Sequence, residues 1–505
     1  MHGSNRSFLS FWRQCGAAFT LIAAVPTWVA APALAQPVGL PSLGSAASAE
    51  LSPLWERRLG DSIIAQGRRD PSYVHDAEIN QYLNDMGHRL AQYATGGPPD
   101  IDLFGVRDPM INAFALPGGY IGINTGLIVQ SGSESELAGV VAHEIAHVTQ
   151  RHIARGLTQR KQSDMIAMAS IAAALLGALT GGAGLAMGLA AFGQAAAIDR
   201  QLGFSRDAER EADRVGFHML SKAGYDPNGM QEMFNKLMTA SNLNMGSMGG
   251  NAYLSTHPLS IERMTDMQNR TRSMQGSRYR NSDAYWYVRA RSLVLQTTDR
   301  HALTRVVDVL QDAGRRQQGI ERSAAWLGLA DLATRRKQFD DADRFLGYAR
   351  QGVPASPYLT RQAADLALAR GDANSALAQA NQGLQSWPNH LALAEIKGRA
   401  LLALGRYRES SVFLEAQLKR WPTQSMELHQ MLAHSFSAEN KPIEARLAMA
   451  DYYVLTGAFP AAMAQLQQAR GMIKDFREQS KLDLQIRQVT QRMAQEREVL
   501  ERFKG

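Results

Sequence analysis

The sequence predicts a mainly α chain in two parts: a compact α+β domain with a small sheet, then an α-solenoid of helical repeats. Three observations predict it. At 505 residues the chain is too long for one core. Its first half sets helical periodicity around one short β-like stretch. Its second half repeats itself every 34 residues.

Residues 1–35 carry the marks of a signal peptide. Arg6 and Arg13 form a basic start, Ala17 to Ala31 is mostly apolar, and Ala33-Leu34-Ala35 makes a small-x-small cleavage site before Gln36. The apolar run is short and broken by Pro26, which argues against a membrane anchor. Cleavage would lower the formal charge from +7 to +5 by removing the two arginines. Cys15, the only cysteine, lies upstream of the cut, so the mature chain would have no disulfide, thiolate nucleophile or Cys-based metal site. Export combined with a Cys-free chain points to the periplasm of a Gram-negative bacterium. An apolar content of 45% with 20% charged residues fits an ordinary folded protein. The positive charge is spread without a Lys/Arg run, so no nucleic-acid partner is expected, while peripheral contact with an anionic membrane stays open.

The first folded domain is expected over 36–280. After a Ser/Gly/Pro/Ala-rich lead-in at 36–49, Leu51 to Tyr93 reads as helix broken near Asp70-Pro71. Ile101 to Val106 alternates as a strand, Asn112 to Leu116 is a second extended stretch, and Pro117-Gly118-Gly119 turns the chain into a third, Tyr120 to Ile123. Ser133 to Arg155 reads as one strong helix with acidic residues in its first turn, and Ser205 to Ala223 as another, stopped by Gly224 and Pro227. Between them, 164–199 is an apolar insertion, uncharged between Asp164 and Asp199 and divided by Thr180 to Gly184. Each arm of about 15 residues would rise about 22 Å as helix, short of the ~30 Å hydrocarbon core. It is expected as a hairpin that either packs over the protein or dips into a bilayer face.

The repeat domain is expected over 281–490, with 491–505 as the end of a charged C-terminal helix. Pro354, Pro388 and Pro422 keep a 34-residue step, as do Gly371 and Gly405, and the small residues Ala342, Ala376 and Ser410. Trp387-Pro388 matches Trp421-Pro422, and Trp326 and Leu329 stand where tetratricopeptide repeats place Trp and Leu. Three repeats align, 323–356, 357–390 and 391–424, flanked by weaker helical pairs at about 282–320 and 425–473.

The chemistry concentrates in His143-Glu144-Ile145-Ala146-His147. Two imidazoles four apart share one helix face and can close on a single cation, and Glu144 beside them can take a proton from water that the cation activates. Imidazole donors suit Zn²⁺, one per chain, which needs a third protein ligand. The segment Ser205 to Asp213 offers carboxylates; Glu209 and Asp213 lie one turn apart on a shared face, while Glu211 points elsewhere. Glu209, the longer, is read as the ligand and Asp213 as the group that orients a ligand imidazole. His152 and His218 fall off the helical spacing and read as structural. Arg206 is left between two roles, reaching a substrate carbonyl or salt-bridging Glu209.

These residues, with Asn112-Ala113-Phe114 and Pro117-Gly118-Gly119, resemble the HtpX and CAAX-prenyl-protease family of gluzincin metallopeptidases. With a signal peptide and repeats added, the chain is most similar to the periplasmic, repeat-bearing members of that family. The resemblance implies a zincin-type α+β metalloprotease domain before the tetratricopeptide solenoid, and Glu209 as third zinc ligand with Asp213 in support. It also implies that the strand carrying Asn112, Ala113 and Phe114 pairs with extended substrate. His257, in Ser255-Thr256-His257-Pro258, matches a His-Pro site of the same group and is open to two roles: filling the fourth zinc position, or donating to a tetrahedral oxyanion. The implied activity is endopeptidase cleavage of unfolded or misassembled outer-membrane β-barrel proteins, with the barrel-assembly machinery docked on the repeats. The rival expectation is a repeat-based chaperone or adaptor whose protease domain is largely latent.

Overall fold

A computed structural model describes residues 52–159, 204–243, 253–254, 257–272 and 279–503. Residues 1–35, read as a signal peptide, and 164–199, expected as a hairpin, lie outside the described residues. Among the described residues no helix is long and apolar enough to cross a membrane.

Helix α1, Pro53–Gly67, starts on Ser52, whose hydroxyl accepts from the Trp55 N–H, with Pro53 in the first turn where no backbone donor is needed. Helix α2, Ala77–Ala91, is capped the same way by Asp76. The sheet follows: β1 (Asp102–Val106), β2 (Ala113–Ala115) and β3 (Tyr120–Asn124), in the order β1-β3-β2. β3 runs parallel to β1, with Asp102 opposite Tyr120, and antiparallel to β2, with Ala113 opposite Ile123. Buried on every residue, β3 is the centre of the sheet, and β2 is left as an edge. Gly60 of α1 lies so close to the turn at Pro117–Gly119 that a Cβ there would sit 2.0 Å from the Pro117 carbonyl oxygen. α1 is thereby seated on the sheet's hairpin.

After the short helix α3, Thr125–Gln130, comes α4, Glu134–Thr149, whose N-cap Ser133 accepts from the Glu136 N–H. Every residue from Glu134 to His147 is buried, because the sheet, α2 and two later helices surround α4. The single helix expected from Ser133 to Arg155 is broken. The helix does not run on to Arg155: it ends at Thr149, Arg151 takes a left-handed conformation (φ 51°), and α5, His152–Gln159, sets off in a new direction. A non-glycine residue in that conformation costs on the order of 1–3 kcal/mol, so the surroundings must hold it. Glu56 of α1 does so in part, through a 3.1 Å contact to Arg151 Nε. Next come α6 (Arg206–Lys222, capped by Ser205), α7 (Asn228–Leu243) and α8 (Ile261–Arg272).

Helices α9 (Asp283–Leu295), α10 (Arg300–Arg316), α11 (Gly319–Arg335), α12 (Phe339–Ala349), α13 (Pro357–Ala369), α14 (Ala373–Ser386), α15 (Leu391–Ala403) and α16 (Tyr407–Arg420) form the solenoid's successive pairs. It continues with α17 (Met426–Ala438), α18 (Pro442–Leu455), α19 (Phe459–Met472) and the long α20 (Phe476–Phe503). α13 and α15 begin 34 residues apart, as do α14 and α16, which is the step read from the prolines and glycines. Gly371 and Gly405 (φ 83° and 70°) turn the chain between paired helices, and Ala342, Ala376 and Ser410 are fully buried where helices touch.

The solenoid grips the first domain along its length. Asp76 and Glu78, at the start of α2, meet Arg291 of α9 (2.6 Å to Asp76) and Arg361 of α13 (3.0 Å to Glu78) in a buried ionic knot that includes Asp331. Gln81 exchanges hydrogen bonds with the Asn389 carbonyl and the Leu391 N–H. At the far end, Gln66 of α1 donates to Glu496 of α20.

Within the repeats, Glu395 of α15 accepts a hydrogen bond from Ser425 at 2.7 Å. Burial, with Glu427 nearby, pushes its carboxyl up to about 8, so the folded chain keeps it protonated at neutral pH. Unfolded, it ionises near pH 4.3. Its contribution to stability is therefore full below that pH and is lost as pH rises through about 8. Glu395→Gln keeps an uncharged amide at the site, so its stability advantage over the parent should widen between pH 5 and roughly pH 8 in urea unfolding. A pH-independent difference would contradict this assignment.

Candidate metal centre

Helix α4 projects His143 and His147 from one face, and their Nε2 atoms stand 3.0 Å apart. α6 crosses α4 so that Glu209 reaches both: Oε2 is 3.5 Å from His143 Nε2 and Oε1 is 3.4 Å from His147 Nε2. His257, just before Pro258, brings Nδ1 to 2.9 Å from Glu209 Oε1 and 3.4 Å from His143 Nε2. The ligand atoms of these four residues all lie within 4.8 Å of one another, and all four side chains are buried. Three imidazole nitrogens and one carboxylate oxygen, converging on one buried point, fit a single divalent cation in four-fold coordination.

The surroundings set the protonation states. Burial pushes His147 well below its usual range, the neutral form a ligand needs. Burial works against the ionised form of Glu209, but His257, His143 and His147 outweigh it and hold the carboxyl well below the usual range. His143 also feels burial, yet Asp213 and Glu209 prevail and raise it. Asp213 sits 3.0 Å from His143 Nδ1, one helical turn along α6 from Glu209. Glu144 faces the same pocket: Oε1 is 3.5 Å from His257 Nε2, and the Tyr253 hydroxyl donates to it at 3.4 Å. Burial lifts the Glu144 carboxyl above its usual range, against the opposing pull of His257 and His143.

Four contributors were not read from the sequence. Arg263 of α8 is forked onto Asp213 (2.6 and 2.7 Å) and also reaches Glu209 Oε2 at 2.7 Å, so it, and not Arg206, is the cation on Glu209. Arg206 is exposed on α6. Tyr253 stacks on His257 with ring centroids 4.6 Å apart. Phe204 lies over His147 at 3.9 Å. His152, read as merely structural, approaches His147, its Nδ1 lying 2.9 Å from His147 Nδ1. His218 is exposed on α6 and belongs to no part of this cluster. Asn112, Ala113 and Phe114 sit on or beside edge strand β2, against which α4 packs.

A helix carrying His-Glu-x-x-His, closed by a glutamate from a second helix with an acid behind it, defines a metal-dependent peptidase. Residues 77–271 match Peptidase family M48, so that stretch of the chain carries an M48 peptidase domain. Among its relatives, the Escherichia coli beta-barrel assembly-enhancing protease is 29% identical over 489 residues, covering 96% of this chain and 97% of that one. A beta-barrel assembly-enhancing protease of Yersinia pestis is 28% identical over 466 residues, 89% of this chain and 91% of its own length. The mitochondrial metalloendopeptidase OMA1 of Schizosaccharomyces pombe is 34% identical over 202 residues, 39% of this chain and 54% of that one.

Arg263→Met should test the support behind the acids. It leaves Asp213 and Glu209 buried without their countercharge, which typically costs about 3–5 kcal/mol. Denaturant unfolding of the metal-free chain should register that loss; parental stability would mean that the pairing contributes little.

Proposed function

We propose that this chain is a periplasmic zinc endopeptidase acting on outer-membrane β-barrel proteins that have failed to assemble, and that its repeats bring it to the assembly machinery. The observation that carries the reading is the convergence of His143, His147, Glu209 and His257 beside Glu144. Zinc, one per chain, would be held by His143, His147 and Glu209 and would supply a Lewis acid that polarises the scissile carbonyl and acidifies water. Glu144 is the general base and later the proton donor to the leaving amine. Asp213, held by Arg263, keeps the His143 ring aimed at the metal. The division into a signal peptide (1–35), protease domain (36–280) and repeat domain (281–490), with 491–505 ending the last helix, is part of the same reading.

The edge strand supports a substrate in extended form. The Asn124 N–H donates to the Asn112 carbonyl and the Leu116 N–H to the Tyr120 carbonyl, so residues 112, 114 and 116 bond inward to β3. By the alternation of an antiparallel ladder, the N–H and C=O of Ala113 and Ala115 face away from it; both residues are buried, so pairing with a peptide backbone requires that edge to be uncovered first. Asn112 and Phe114 would then shape the strand while Ala113 and Ala115 bind. Unassembled β-barrel proteins expose unpaired strands of that kind. The relatives' names, which speak of enhancing beta-barrel assembly, favour this class of client.

A second reading, a chaperone or adaptor whose protease is mostly latent, is favoured by His257. Its Nδ1 stands inside the ligand cluster and its Nε2 beside Glu144, a placement that supports closure of the fourth position. Glu144→Gln should retain zinc yet lose hydrolysis of an unfolded outer-membrane protein by a factor on the order of 10²–10⁴. Unchanged degradation by the purified variant would defeat the catalytic assignment. His257→Ala should raise basal proteolysis if the histidine holds the site closed. A matching fall in turnover would instead make it an oxyanion donor.

A further inference from the structure

The two helix histidines are supported differently, and the difference begins with the backbone. On an unbroken helix, residue 152 would lie about 140° round the axis from residue 147 and could not meet it, since each residue advances by about 100°. The left-handed turn at Arg151 removes that obstacle. It folds α5 back so that His152, 2% exposed, faces His147 from the side away from the ligand cluster.

The proton positions along this contact follow from the ligand geometry. His147 presents Nε2 to Glu209 and His143, so a neutral ring bound through Nε2 carries its proton on Nδ1. That Nδ1 stands 2.9 Å from His152 Nδ1, which must then accept. With Nδ1 accepting, neutral His152 holds its proton on Nε2, and Nε2 lies 3.1 Å from Glu211 Oε2. The same oxygen accepts from Arg155 Nη1 at 2.8 Å. Each donor finds an acceptor, and the chain of bonds has one direction.

We infer that His152 and Glu211 are positioning residues for the metal site, linked as His147 Nδ1–H to His152 Nδ1 and His152 Nε2–H to Glu211. His143 is steadied directly by the buried Asp213 on Arg263, whereas His147 is steadied through an imidazole whose carboxylate end is a quarter exposed. This chain of bonds orients the His147 ring and raises its basicity. The inference rests on the metal-binding reading above and adds two residues that the His-Glu-x-x-His pattern does not contain.

The full-length protein tests it through zinc retention, with no assay of turnover. The rate of zinc loss to an excess of chelator is followed for the parent, His152→Leu, His152→Asn and Glu211→Gln, with near-ultraviolet circular dichroism of each. His152→Leu removes the acceptor and should speed zinc loss about 10- to 100-fold. His152→Asn keeps an acceptor oxygen near the Nδ1 position and should recover most of that loss. Glu211→Gln, altered at the partly exposed end, should fold normally and speed release to a smaller degree. Rates equal to the parent in all three variants would overturn the inference, as would a His152→Asn protein that loses zinc as fast as His152→Leu. A parent that retains no zinc would instead defeat the metal reading itself.

Discussion

The site exists because helix α6 can come almost into backbone contact with helix α4. Gly216 makes that possible: a Cβ at this position would stand 3.0 Å from the carbonyl of Ala142 and the N–H of His143. Glu209, Asp213 and Gly216 fall at i, i+4 and i+7, so the residue that permits the approach shares a stripe with the two acids that exploit it. Once the helices meet at Gly216, Asp213 is delivered to His143 Nδ1 and Glu209 to the Nε2 atoms beyond. Gly139 plays a similar part on another side of α4, where a Cβ would come within 2.9 Å of the Met230 Cα. Tight helix packing on several sides leaves α4 little freedom, and a ligand pair on a rigid helix is held in one geometry.

Burying so many ionisable groups carries a desolvation cost, and the chain meets it by pairing each charge with several partners. Arg263 spans both acids of the metal centre, and the knot of Asp76, Glu78, Arg291, Arg361 and Asp331 does the equivalent at the seam with the repeats. Ion pairs of this kind add less stability than their number suggests, since desolvation offsets most of the attraction. What they supply is specificity, because any slippage would strand a charge in an apolar seam. The repeats are therefore fixed to the first domain at α2 and again at α1, where Gln66 meets Glu496. A client bound on the solenoid would be held in a set relation to the helix that carries His143.

What the sequence revealed and what it hid divide along physical lines. Periodic signals were legible: the histidine pair at i, i+4, the acid pair at 209 and 213, and the 34-residue step of the repeats. Gly371 and Gly405 mark their turns, but Lys337 and Asn440 (both φ 58°) take the same left-handed conformation at matching positions and give no glycine to read. Arg151 is the same case at the metal centre, which is why the spacing predicts one long helix and leaves His152 off the site's face. Tyr253 is four residues from His257, but its contact with Glu144, like that of Arg263 with Asp213, joins segments far apart in the chain that no spacing rule connects. Such contacts are set by how α8 and the segment before His257 pack, which is a property of the fold and not of local pattern.

The register of the small sheet bears on how such a site could choose its substrates. β2 shows Ala-Phe-Ala, with Phe114 packed against Gly122, where even a Cβ would collide with its ring at 2.3 Å. The one large side chain on this strand is thus spent inside the sheet. What remains at the edge is the backbone of two buried alanines, and pairing with it, once uncovered, would not distinguish one sequence from another. Selectivity on the proposed reading must then come from two other sources. One is the conformational state of the client, since only a segment whose own hydrogen bonds are unmade can add to an edge. The other is delivery, which falls to the repeats fixed beside the protease. A site that reads conformation and not sequence has to be restrained when no client is present, and on the proposed latent reading the histidine within the ligand cluster would supply that restraint.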